Sequence, residues 1–314
     1  MYTHFYFFLL LLFFCFPGDQ VVEKADSEKV SLVVLGNIQD AGSPHIACDK
    51  ACCADLFSNP DPTRKIVSLG LIDHQRHRTY LFEATPHMPE QMKFLKELAH
   101  SEAEVPDGIF LTHAHIGHYT GLMYLGKEAM NAKEVPVYVM PRMKTFLEEN
   151  GPWSQLVSQG QIKLQTIFNQ TETKLGSTLK VIPVLVPHRD EYSETVGYTI
   201  IGPHKKALFI PDIDKWEKWD QSIIEHIKKV DYAFIDATFY DEKEISYRAV
   251  SEIPHPFVIE SMAKFQLLGA AEKSKIFFIH LNHTNPLLNP ESSETKEVLK
   301  NGFKIARYGD VFEL

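Results

Sequence analysis

Cysteine is scarce in this chain of 314 residues: there are four, and Cys48, Cys52 and Cys53 crowd into one short stretch. If Cys15 leaves with a leader segment, an odd number remains, a poor disulfide framework even in an oxidising compartment. Adjacent Cys52 and Cys53 rarely bridge each other, because the geometry is strained. Three thiolates in one loop suit a tetrahedral structural zinc site completed from elsewhere; one disulfide plus a free thiol is the other reading. Positive charge is also in short supply, with 32 Lys and Arg against 41 Asp and Glu and a net charge of −9. A nucleic-acid surface needs a basic stripe, so that partner is not expected. Long apolar runs are missing apart from Phe5 to Phe16. That run is short for a bilayer span and fits the core of a secretory signal. No Lys or Arg precedes it, and Phe16-Pro17-Gly18 is a poor cleavage site. Residues 1–18 read as a cleaved signal, with an uncleaved anchor or a mis-assigned start as alternatives, and residues 19–29 as a linker. A mature form lying in the secretory pathway or periplasmic lumen, or secreted, with no stable membrane span, is the expectation. No internal repeat or low-complexity linker divides residues 30–314, which are read as one domain.

Histidine, by contrast, is abundant at 15, and its grouping matters more than its number. Thr112-His113-Ala114-His115-Ile116-Gly117-His118 follows the apolar run Gly108-Ile109-Phe110-Leu111. In an extended strand, residues i and i+2 share a face, so His113 and His115 project together. A helix starting just afterwards brings His118 to the same pocket. Convergent imidazoles are the usual core of a catalytic site for zinc, iron or manganese.

Apolar periodicity predicts strands at 30–36, 66–72, 78–82, 108–111, 135–140, 162–168, 179–187, 198–201, 206–210, 232–235 and 275–280, with short ones near 304–306 and 311–313. Helices are predicted at 89–100, 121–131, 141–150, 219–229 and 256–268. Strand runs followed by alternating strands and helices, twice over, suit two sheets packed face to face with helices outside. His113, His115, His188, Asp212 and His280 all stand where a predicted strand gives way to a loop. In α/β folds such strand ends converge on one edge, where open sheets place their sites.

The motif His113-x-His115-x-x-His118, then Pro187-His188, Ile210-Pro211-Asp212 and Phe278-Ile279-His280, resembles the metallo-β-lactamase superfamily in order and spacing. Val34-Leu35-Gly36, Tyr119-Thr120-Gly121-Leu122, Phe234-Ile235-Asp236-Ala237-Thr238-Phe239 and the run from Phe278 to Pro286 resemble its PqqB branch, the pyrroloquinoline quinone biosynthesis B proteins, with phosphodiesterase relatives nearby. The likeness covers roughly residues 30 to 314 and implies an α/β (α+β) fold, an αββα sandwich with metal at one edge. It implies a first metal on His113, His115 and His188, and a second position at His118, Asp212 and His280, with Asp212 bridging. Gly117 stands where the superfamily usually has Asp, which implies one firm metal or a loosely held pair. It also implies a structural zinc on Cys48, Cys52, Cys53 and His283; the rival reading of His283 is a hydrogen-bond partner of a metal-bound imidazole. Zn²⁺ is the expected ion, with Mn²⁺ or Fe as alternatives in the active site.

The expected chemistry is a metal-activated hydroxide attacking an ester, above all a phosphodiester or a similar small anionic substrate. Asp212 would orient the hydroxide, and His255 falls where related phosphodiesterases protonate the leaving group; a loop histidine between prolines is its plain reading. Asp236 reads either as a helix cap or as a carboxylate supporting the ligands, and Glu83 as another such supporting carboxylate. The alternatives are a PqqB-like metal-dependent oxidase or hydroxylase and a non-catalytic metal-binding protein.

Overall fold

The computed structural model describes residues 1–2, 29–245 and 252–314. The Phe5–Phe16 run, Cys15 and the linker up to residue 28 lie outside the described residues. Among the described residues, no helix is long and apolar enough to cross a membrane.

Strands are β1 (Val30–Gly36), β2 (Ser68–Asp73), β3 (Arg78–Phe82), β4 (Gly108–Phe110), β5 (Val135–Val139), β6 (Ile162–Thr166), β7 (Thr173–Lys174), β8 (Lys180–Leu185), β9 (Val196–Ile201), β10 (Lys206–Ile210), β11 (Tyr232–Asp236), β12 (Ile276–Ile279), β13 (Lys304–Ile305) and β14 (Val311–Glu313). They form two seven-stranded sheets, ordered β14-β1-β2-β3-β4-β5-β6 and β13-β12-β11-β10-β9-β8-β7.

The two-residue period of a strand explains why these segments are apolar throughout rather than alternating. In β1, Leu32 and Val34 face a core shared with Val196, Phe209, Phe234 and Phe277 of the other sheet. Val33 and Leu35 face the opposite way, onto Leu95, Met143, Leu147 and Leu156 from the outer helices. The second sheet repeats the pattern: Leu208, Ile210, Ala233, Ile235 and Phe278 pack on Ile223, Ile227, Val258 and Val298. Four layers result, helix on sheet on sheet on helix, the αββα sandwich expected.

Strand direction places the site. β1 and β3 each pair antiparallel with β2, and β4 pairs parallel with β3. β1, β3 and β4 therefore run the same way. In the second sheet β10, β11 and β12 are mutually parallel, and β8 and β10 each run antiparallel to β9. Ile38, just past β1, forms bridges to both Ile66 and Leu281 and so ties the two sheets together beside those ends.

One helix expectation is corrected. Residues 121–131 are not a helix: a short α-turn covers Ile116–Tyr119 and a 3-10 turn covers Thr120–Leu125. Gly121 N–H donates to Ala84 O at 2.9 Å, and Asn131 N–H to Gly126 O at 2.7 Å. The backbone spends its donors on the β3 loop and a local turn instead of a helical ladder. The helix predicted from 219 spans Ile223–Lys228, capped by Ser222. Helices Trp153–Ser158, Ala270–Lys273 and Ser293–Lys300 were not expected, the last held by a Ser292 cap on Thr295 N–H.

Candidate metal centre

β4 runs on through Leu111 and Thr112 into His113. His115 then directly precedes the helical turn Ile116–Tyr119, and its extended backbone makes the change of direction. The rings of His115 and His118 lie 4.4 and 4.3 Å from that of His113, so all three meet as expected. From the other sheet, β8 delivers His188, β10 Asp212, β11 its own last residue Asp236, and β12 His280. Glu83 and His280 follow their strands with positive φ, 81° and 65°. A non-glycine residue held there stores strain, which the surrounding contacts must sustain.

Asp212 lies at the centre. Its Oδ2 is 3.4 Å from His113 Nε2, 3.8 Å from His118 Nε2 and 4.0 Å from His115 Nδ1. Its Oδ1 is 3.3 Å from His188 Nε2 and 3.1 Å from His255 Nδ1. Supporting groups aim the rings. Thr112 Oγ1 is 2.8 Å from His113 Nδ1, and Asp214 Oδ1 is 3.2 Å from His188 Nδ1. Glu83 Oε1 faces His118 Nδ1 at 3.5 Å. The Thr238 hydroxyl donates to Asp236 Oδ1 at 2.7 Å and lies 2.8 Å from His280 Nδ1. Its proton being spent on Asp236, it can only accept from His280, which puts the hydrogen on Nδ1 and leaves Nε2 as the ligand atom.

Charge in the cluster follows from these contacts. Burial opposes protonation of His188, but Asp212 beside it raises its pKa to about 9. His118 is raised to about 8, burial again opposing and Glu83 prevailing. His255 is held well above its ordinary value: burial works against the charge, and Asp236 and Asp212 overcome it. Burial and the neighbouring His118 push His113 well down. Burial raises Asp212, yet His188 and His255 hold it well below the usual carboxylate range.

The donors fit a metal. His113, His115, His188 and Asp212 offer ligand atoms all within 4.8 Å of one another, as do Asp212, Asp236, His255 and His280. His113 Nε2, His118 Nε2, His280 Nε2 and Asp212 Oδ1 are buried without a hydrogen-bond partner. Each such atom costs about 1–3 kcal/mol unless something satisfies it, and a cation among them satisfies them together.

The cysteine loop makes a separate cluster. The ligand atoms of Cys48, Cys52, Cys53 and His283 likewise lie within 4.8 Å of one another, and none of the three thiols is in a disulfide. Sulfur atoms lie 4.0 Å apart for Cys48 and Cys52 and 3.8 Å for Cys52 and Cys53. Tetrahedral zinc with Zn–S of about 2.3 Å separates its sulfurs by about 3.8 Å. His283 Nδ1 engages Asn282 Oδ1 at 3.1 Å, leaving Nε2 for the ion, and His45 stacks on the ring at 4.4 Å. That geometry favours the zinc reading of both the thiols and His283.

Every predicted ligand type therefore reaches one of two clusters, and His255, expected as the leaving-group acid, sits between Asp212 and Asp236. Of the two weighed carboxylates, Asp236 caps Thr238 N–H at 2.9 Å and also grips His255 at 2.8 Å, serving both roles. Sequence reasoning missed Asp214, Thr238 and Asp40. Asp214 and Thr238 lie two residues beyond an assigned acid, and Asp40 follows β1 as the others follow their strands.

Comparison with known proteins agrees with this geometry. Residues 78–281 match the family described as Beta-lactamase superfamily domain. The chain is 24% identical over 310 residues to coenzyme PQQ synthesis protein B of Gluconobacter oxydans, covering 91% of this chain and 99% of the relative. The Acinetobacter baumannii protein of the same name is 26% identical over 311 residues, covering 90% and 99%. Among solved structures, Zn²⁺-bound PqqB from Methylobacterium extorquens superposes with a TM-score of 0.75 at 20% identity, covering 90% of this chain and 100% of that one. A diphosphatase of the PhnP family gives 0.62 at 23% identity, covering 91% and 97%. A sandwich of two mixed sheets, metal-fitting donors along its rim, and a family match over most of the domain lead to one conclusion: the chain belongs to the metallo-β-lactamase superfamily.

Proposed function

We propose that this protein is a metal-dependent hydrolase of a small anionic ester, a phosphodiester first of all. The observation that carries this reading is the meeting of His113, His115, His188 and Asp212 beside His255, which itself lines a cavity. That cavity, of about 430 Å³, is lined by His255, Thr238 and Lys50 among others. His113, His115, His188 and Asp212 would hold a divalent ion, which when bound would supply a water of lowered pKa and polarise an ester oxygen. Asp212 would orient the attacking water through its carboxylate. His255, kept charged by Asp236 and Asp212, donates its proton to the departing alkoxide.

The test is turnover of a phosphodiester by zinc- or manganese-loaded protein, with His255→Ala expected to lower the rate about a hundredfold. The loss should shrink with a p-nitrophenolate leaving group, which needs little protonation. An equal loss for good and poor leaving groups removes His255 from that role. One observation favours a second reading, an iron-dependent oxidase or hydroxylase: the end-to-end alignment with coenzyme PQQ synthesis protein B. Iron in the purified protein with oxygen consumption and no ester turnover would decide for it. Metal without either activity would leave a binding protein.

A further inference from the structure

His118 and His280 are fully buried at 0% exposure, and both present an Nε2 with no hydrogen-bond partner. Two unsatisfied imidazole nitrogens are too few for a firm divalent site, which wants a carboxylate to balance charge. Asp212, 3.8 Å from His118 Nε2, is shared with the other histidines, and the sequence offers no second carboxylate next to His118, since the residue before it is Gly117. The structure brings one from elsewhere: an oxygen of Asp40 lies within 4.8 Å of the ligand atoms of His118 and His280.

The backbone explains how. Asp40 follows β1 on a short connection that is held at several points. Ile38 bridges both sheets, Gln39 N–H donates to Leu281 O at 2.9 Å, and Gly42 N–H returns to Gln39 O at 2.9 Å. The aspartate is thus presented by an anchored turn. It also fills the space next to Gly117. A Cβ on Gly117 would fall 2.1 Å from Asp40 Cβ, 2.7 Å from its Cα and 2.8 Å from its carbonyl oxygen. These are backbone and Cβ atoms that cannot swing away. A side chain at 117 and the present course of the β1 loop exclude each other.

We propose that Asp40 takes over the carboxylate that position 117 does not carry, so that Asp40, His118 and His280 form a second cation position beside the one at His113, His115 and His188. Asp212, near both sets of histidines, is the group they share. The proposal deepens the metal-dependent reading above and rests on it. It also turns Gly117 from a sign of a weakened site into the condition for a rerouted one.

The experiment counts bound Zn²⁺ or Co²⁺ per chain in the full protein after dialysis and follows binding by calorimetry, independent of any activity. Thiolate-to-cobalt charge-transfer absorption marks the ion at the cysteine loop and separates it from those at the histidines. Asp40→Ala is expected to lose about one equivalent at the histidines, or to bind it at least about tenfold more weakly, with the thiolate signal intact. Asp40→Asn, which keeps the shape of the turn, is expected to weaken the same ion. Undiminished binding by either single variant overturns the role of Asp40 and leaves the metal-dependent reading standing. A parent protein that takes up no ion beyond the thiolate-bound one overturns both.

Discussion

The two metal-fitting clusters adjoin at His280 and His283, three residues apart, yet they are built in opposite ways. The cysteine cluster draws three of its four donors from one short loop and is complete with a single imidazole. The histidine rim draws donors from the ends of strands in both sheets and has more of them than one ion uses. A metal site closed by four protein ligands holds structure, whereas one with shared carboxylates and an unfilled position leaves room for reacting molecules. The contrast teaches that ligand type matters less than whether the protein uses up the coordination sphere. It also explains how the loop after β1 contributes to both regions, Asp40 to the rim and the cysteines to the clamp.

The contrast can be broken most directly at His188. His188→Ala is expected to cut ester turnover by about a thousandfold, about 4 kcal/mol of transition-state stabilisation, while the thiolate-held metal stays. Turnover and metal content of the same preparation check this, and joint loss of both metals would show that the clusters are not separate. The reverse experiment is Cys53→Ser. It is expected to release the loop metal and lower stability by about 3 kcal/mol, or about 5–10 °C in Tm, with an ion retained at the histidines. Thermal unfolding of parent and variant, with and without chelator, measures it; equal melting temperatures would remove the structural role from the cysteines.

The smallest effect concerns the buttress behind His283. Glu244 Oε2 accepts from Thr284 Oγ1 at 2.7 Å, and Asn282, itself bonded to His283, donates to the same hydroxyl at 2.6 Å. Burial raises the Glu244 carboxyl from 4.5 to about 7, against hydrogen bonds from Thr284 and Tyr240 N–H that favour the charge. Within that window the native state holds a proton that the unfolded chain has released. Stability therefore falls as pH rises through it and is lowest above it. Glu244→Gln should flatten that fall, seen as a smaller difference between urea unfolding at about pH 5 and about pH 8. An unchanged slope would sink the assignment.

Much of the rim was legible because its residues obey a local rule. His113, His115, His188, Asp212 and His280 each follow an apolar strand, and a strand announces itself through side-chain chemistry over a few residues. The error at 121–131 has the same root: apolar spacing was visible, but the tertiary demand of Ala84 O on Gly121 N–H was not. Thr238 escaped because a hydroxyl that fixes a histidine tautomer looks like any strand-end threonine. Asp40 escaped because three residues separate it from its strand, and nothing in its neighbours shows that the loop turns back toward Gly117.

What the sequence alone determined is what short-range chemistry can carry: the doubly buried strands, the three thiols in one loop, the strand-end histidines and the net negative charge. Which of those ends meet, and which carboxylate serves which imidazole, was decided only in three dimensions. The parallel course of β1, β3 and β4 in one sheet and of β8, β10, β11 and β12 in the other brings residues distant along the chain to one rim. That convergence is set by sheet pairing and by the core between the sheets, and no local stretch of residues contains it.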